Sequence, residues 1–220
     1  MKLSRRAISA MCLVALIAFP MSAFAQNEEG YKFNSLIVSS GEDPISSGIT
    51  GIIRFENEQN RLIEVAFQHE QAWVIYGQHF NKKMIKGLFG ASAGHFQGAP
   101  WAGPILTLSM PLGKIAGQEI SARTMQWPGL FVWEPTNWKN DGVPNPNSIL
   151  QAVISNIGLD IGPIGLTYTK LIFLDDPWNS LPGISYTKSV HKDFSLTGSM
   201  TRNINKNKWM FCVGLTWKPQ

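Results

Sequence analysis

The strongest constraint on this chain is an alternation with a period of two, cleanest at its C-terminal end. Phe194, Leu196, Gly198 and Met200 interleave with Ser195, Thr197, Ser199 and Thr201, so an extended backbone carries one apolar face and one hydroxyl-lined face. The last segment repeats the pattern, with Trp209, Phe211, Val213, Leu215 and Trp217 on one side and Met210, Cys212, Gly214 and Thr216 on the other. Nearer the N-terminus, Ile49, Gly51, Ile53 and Phe55 alternate with Thr50, Arg54 and Glu56, interrupted on the second face by Ile52. Ile63, Val65 and Phe67 alternate with Glu64, Ala66 and Gln68. Helical periodicity is scarce, and no run of about 18 apolar residues follows Ala25, which excludes a membrane protein built of helices.

Further strand-like segments fall near Tyr31–Ser40, Ala72–Phe80, Met84–His95, Gly103–Leu112, Gln118–Val132, Ser148–Leu159, Pro163–Leu174 and Ile184–Val190. With the four above the best count is twelve strands, inside a range of eight to twelve. Two readings stay open within it: Asn147–Asn156 spaces Ile149, Val153 and Ile157 four apart, as a short helix does, and Pro128-Gly129 reads as a bend or an exit from the sheet. The connections tend to alternate. Glu58–Asn60, Asn81–Lys83, Gly113–Gly117, Asp160–Gly162 and His191–Asp193 are short, whereas Phe96–Ala102, Val132–Asn147 and Asp175–Gly183 are longer. His69–Gln71 is short where a long loop is expected.

The first 25 residues stand apart. Lys2, Arg5 and Arg6 precede an apolar stretch from Ala7 to Phe19, and Ala23-Phe24-Ala25 is a small-x-small cleavage site, so residues 1–25 read as a secretory signal peptide and 26–220 as a single domain. Ser9-Ala10-Met11 before Cys12 does not resemble a lipoprotein box. Removal of the leader takes three of the 19 basic residues and none of the 15 acidic ones, leaving a net charge near +1 in place of +4. The apparent basicity therefore belongs to the leader, and a nucleic-acid partner loses its electrostatic support. Cys212 is the only cysteine after residue 25, so no intrachain disulfide is expected. No phosphate-binding or dinucleotide fingerprint occurs, and no cofactor is expected.

Two all-β architectures share this periodicity: a soluble periplasmic barrel or sandwich that binds a ligand, and an antiparallel transmembrane β-barrel. They differ in where charge goes. Charged residues make up only 15% of the chain, and the faces opposite the apolar rows are mainly Ser, Thr, Gly and Gln, which suits a hydrated interior and a lipid-facing exterior. Closure also removes the sheet edges that hydrocarbon cannot satisfy. Trp73, Trp209 and Trp217 are the candidate membrane-interface aromatics, the last two bracketing an apolar row. Lys170 and Lys188 fall on lipid-side faces. With its leader, alternating strands, aromatic borders and amphipathic last strand, the chain resembles the small outer-membrane β-barrels of Gram-negative bacteria. That class implies an outer-membrane location, lipid contact, and periplasmic chaperones and barrel-assembly machinery as partners. Members commonly end on an aromatic residue with a Gly in the last strand; here Lys218-Pro219-Gln220 follow Trp217, and Cys212 stands where that Gly is often found.

The functional expectation is a small passive, porin-like channel or a structural surface protein. Arg54, Glu56, Glu64, Lys86 and Arg123 are the candidate pore-lining charges. Arginines are few, so a ladder for acidic sugars is not expected. The competing enzymatic reading is a lipid A-modifying hydrolase using Ser189 and His191, which a regular strand would place on one face, with Asp193 nearby. His69, His79 and His95 show no metal-ligand spacing and read as polar strand caps. The stretch from Trp127 to Trp138, with Trp178, offers a tryptophan-rich surface for contact, or for packing over a barrel mouth.

Overall fold

A computed structural model describes residues 30–42, 47–68, 71–96, 99–131, 150–173 and 176–219. The expected leader, His69, Glu70, Trp133 and Trp138 lie outside these residues.

Twelve strands follow one another along the chain: β1 (Lys32–Glu42), β2 (Ser47–Glu56), β3 (Arg61–Gln68), β4 (Gln71–Lys82), β5 (Ile85–Phe96), β6 (Ala99–Ile115), β7 (Gln118–Phe131), β8 (Leu150–Ile161), β9 (Ile164–Phe173), β10 (Asp176–His191), β11 (Phe194–Asn203) and β12 (Lys208–Trp217). Each pairs antiparallel with its chain neighbours, and β1 closes on β12 from Leu36 opposite Trp217 to Gly41 opposite Cys212. The result is a closed antiparallel β-barrel with no free edge.

Short turns join β2 to β3, β4 to β5, β6 to β7, β8 to β9 and β10 to β11 on the side that also holds both strand ends, Lys32 and Trp217. Local chemistry sets them. Asn57 Oδ1 accepts from the backbone N–H groups of Gln59 (3.1 Å) and Arg61 (2.9 Å), while Asn60 adopts φ 60°, a conformation asparagine tolerates. Ala116 (φ 49°) and Gly117 (φ 80°) form a two-residue hairpin turn that matches strand twist.

Alternation sorts the side chains as the sequence reading expects. Phe211 (59% exposed), Val213 (62%) and Phe89 (54%) point outward, whereas Ile75, Leu88 and Ile105 are buried within the ring. On the rim beside the termini, Trp217 lies 5.2 Å from Phe33 and 6.3 Å from Phe194, ring centre to ring centre. Trp209 stands eight residues up the same strand, beneath Arg202 at 5.4 Å. At about 3.4 Å per residue and a tilt of about 40°, the two indoles stand roughly 20 Å apart across the barrel's height, close to the span of an apolar membrane band.

Several expectations are corrected. The described part of Asn147–Asn156, from Leu150 onward, is not helical but belongs to β8. The sheet does not stop at Pro128-Gly129, because β7 runs on to Phe131. The expected loops Phe96–Ala102 and Asp175–Gly183 are largely strand, since β6 begins at Ala99 and β10 at Asp176. Proline explains the misreadings of strand extent, with Pro100 in β6, Pro128 in β7, and Pro177 and Pro182 in β10. The β6–β7 ladder is regular at Ala102 opposite Leu130 and again at Leu106 opposite Gln126, which places Pro104 across from Pro128. Neither can donate an N–H, so the ladder lapses there while the strands continue.

Lys188 and Lys170 face outward as expected. Lys188 is exposed and pairs with Leu196, two residues from the turn-side end of β11, within reach of the rim. Lys170 sits across from Ser155 on one side and Ser180 on the other, in a polar strip that continues to Gln126. The Gln126 amide donates to Ser155 Oγ at 2.9 Å.

Candidate functional site: the barrel lumen

The inward faces form three walls. The first is charged. Antiparallel register sets Arg54 of β2 opposite Glu64 of β3, and Arg54 Nε donates to Glu64 Oε2 at 2.7 Å. Glu64 is nearly buried, 9% exposed, while the arginine keeps 38% of its side chain accessible. Glu56 accepts from the Asn34 amide at 2.6 Å and lies 3.1 Å from His79 Nε2. Arg123 Nε approaches Asp160 Oδ2 at 3.1 Å. Lys86 is exposed to the same space and has no ion-pair partner among the described residues. All five candidate lining charges therefore point into the lumen, and Asp160 joins them.

The second wall is apolar. Trp73 is not at the membrane interface; it lies on the inward face of β4, 5.9 Å from Trp127, whose ring is 4.9 Å from Trp101. Ile75, Leu88, Ile105 and Met125 pack with them. Trp127 belongs to this wall rather than to an exposed loop, and its buried indole N–H donates to Ser92 Oγ at 2.7 Å. The wall fits because β5 contributes almost no volume between the indoles. Gly94 pairs with Trp73 on one side and Trp101 on the other, and a Cβ there would stand 2.8 Å from that of Trp73. The signal was in the sequence as Gly90-Ala91-Ser92-Ala93-Gly94, a run of small residues between strands that turn Trp73 and Ile75, and Trp101 and Ile105, inward.

The third wall is hydroxylic. Thr187 and Thr197 oxygens lie 3.0 Å apart across β10 and β11, and the Asn156 amide donates to Thr169 Oγ1 at 2.6 Å. Glycines at 158, 165 and 183 hold this side open. A second apolar cluster of Leu171, Leu181 and Met210 lies on the same half of the ring, meeting the first through Ile154.

Two cavities lined by described residues lie in the lumen. One of about 720 Å³ is lined by Asn60, His79, Lys86, Ser109, Arg123 and Asn156 among others. The other, about 410 Å³, runs between Arg54, Glu56 and Glu64 on one side and Trp73, Ile75 and Trp127 on the other, reaching Lys218. His79, Thr107 and Met125 line both, so they are two lobes of one space.

Ser189 and His191 do not form a catalytic pair. A bulge shifts the register between them: Ser189 pairs with inward Ser195, but His191 pairs with outward Phe194, its ring 6.1 Å away. The Ser189 hydroxyl donates to the His191 carbonyl at 3.0 Å rather than to the imidazole. Among the described residues no group of three His, Cys, Asp or Glu side chains could hold a metal ion. Trp178 falls within β10.

No protein-family model matches the chain, and no curated protein matches it. Solved structures do. A KdgM porin superposes with a TM-score of 0.56 at 8% identity, covering 86% of this chain and 100% of that one. A KdgM porin solved in complex with disordered oligogalacturonate gives the same values. A NanC porin in a rhombohedral crystal form gives a TM-score of 0.50 at 8% identity, covering 84% of this chain and 100% of the other. The likeness is one of fold, that of the closed β-barrel.

Proposed function

We propose that this chain is a small passive pore of the Gram-negative outer membrane, delivered by cleavage after residue 25 and inserted by the barrel-assembly machinery. The observation that carries the reading is the two-lobed, polar-edged lumen inside a closed ring whose outer face is apolar. Eight strands leave an interior that side chains can fill, and sixteen or more leave a wide channel. Twelve fall between, and here the side chains line the walls and leave space along them. Export of a chain with so greasy an exterior makes sense only if hydrocarbon receives it.

Purified protein, refolded and inserted into a planar lipid bilayer, is expected to give discrete current steps that persist at low voltage. Their absence from samples shown to be folded by heat-dependent gel migration overturns the pore reading in favour of a plugged structural barrel.

A further inference from the structure

We infer that the lumen takes an uncharged, polyhydroxylated solute of the oligosaccharide type in preference to a polyanion; the inference deepens the pore reading and rests on it. The first ground is charge. Among the described residues the cations lining the two lobes are Arg54, Lys86, Arg123 and, at the turn-side rim, Lys218, and the inward carboxylates are Glu56, Glu64 and Asp160. Each arginine already has a carboxylate within 3.1 Å. An acidic chain passing through would have to displace those carboxylates or run alongside them, and only Lys86 and the rim residue Lys218 are left to attract it.

The second ground is the facing of unlike walls. The smaller lobe sets the indoles of Trp73 and Trp127 across from Arg54, Glu56 and Glu64. The hydroxyl wall, with Thr187 and Thr197, completes the ring. A pyranose has the matching division: a flat C–H face that packs on an aromatic ring, and a rim of hydroxyls that both donate and accept. Carboxylates and threonines take its donors; the arginine and Asn156 serve its acceptors. A solute that is apolar throughout would leave the charged wall unsatisfied, and a galacturonate chain, whose rings meet the same indoles, would bring a carboxylate per sugar towards Glu56 and Glu64.

Two readouts on the detergent-folded protein test this. Quenching of tryptophan fluorescence by maltohexaose and by hexagalacturonate measures binding without requiring conduction. Block of bilayer current by the same two sugars measures passage. Maltohexaose is expected to bind and block, hexagalacturonate to bind at least about tenfold more weakly, and Trp73→Leu to weaken maltohexaose binding by about tenfold. Because Trp73 packs against Trp127, its folding is checked by heat-dependent migration, with the milder Trp73→Phe as a second variant expected to retain most binding. Equal or tighter binding of the galacturonate, or maltohexaose binding indifferent to position 73, overturns the inference. Maltohexaose binding without current removes the pore reading and leaves the solute class standing; current without maltohexaose binding does the reverse.

Discussion

Gly103→Val is expected to abolish the folded barrel. Gly103 lies on the inward face of β6, hard against the β7 backbone: a Cβ there would stand 1.9 Å from the Pro128 carbonyl oxygen and 2.8 Å from Gly129 Cα. Both obstacles are backbone, so no side-chain rotation relieves them. The register places Gly129 directly opposite, and the Gly103 carbonyl accepts from Ser92 Oγ at 2.8 Å, the same hydroxyl that receives the Trp127 indole N–H. A branched side chain therefore forces two strands apart and shifts the backbone carbonyl of residue 103 away from the buried Ser92 hydroxyl that it holds. Overpacking and lost hydrogen bonding each cost on the order of 1–3 kcal/mol, and both act at one seam. Refolding followed by electrophoresis without boiling should show no compact band for Gly103→Val. Ala102→Val, one residue away on the exposed outer face, should migrate like the parent. A compact band for Gly103→Val at parental yield would contradict this account of the β6–β7 seam.

The second large effect is electrical. Glu64→Gln keeps shape and one acceptor but removes the charge that neutralises Arg54 across a 2.7 Å hydrogen bond. In a narrow lumen with few free charges, one uncompensated guanidinium changes the local potential strongly. The anion-to-cation permeability ratio, read from the reversal potential under a salt gradient, is expected to rise about threefold or more, and the rise should shrink at high salt. Stability should fall by about 1–2 kcal/mol, moderated because Arg54 retains solvent contact. An unchanged ratio would show that ions do not pass between Arg54 and Glu64.

Much of the architecture was legible because a barrel wall in lipid writes itself into sequence as strict alternation. Phe194–Thr201 and Trp209–Trp217 could be assigned to faces with no other information, and their outward residues are where that assignment puts them. Legibility failed where both faces are apolar. In β4, Trp73, Ile75 and His79 face inward while Ala72, Val74 and Tyr76 face outward, so the hydropathy contrast between the faces vanishes and Trp73 reads as an interface residue. It also failed at Pro100, Pro128 and Pro182, which usually end strands but here cost only local donors in a sheet held on both sides. The lining charges were readable singly, as polar positions on alternating strands. Their pairing was not, since Arg123 and Asp160 meet only through the register of β7 against β8. The Ser189–His191 spacing misled for a related reason: a bulge is invisible in a count of two.

The central claim is that the apolar side of the sheet meets hydrocarbon and the hydroxyl side meets water enclosed by the ring. It is tested most directly by single cysteines introduced into a Cys212→Ser background, since Cys212 is the one cysteine among the described residues. Thr197→Cys and Val213→Cys place probes on opposite faces of adjacent strands. In vesicles, the account predicts that a hydrophilic maleimide labels position 197, while a fluorophore attached at 213 in detergent is quenched by nitroxide-bearing lipid after reconstitution. Lipid quenching at 197 with aqueous labelling at 213, or a protein that stays in solution and never enters the vesicles, would contradict it.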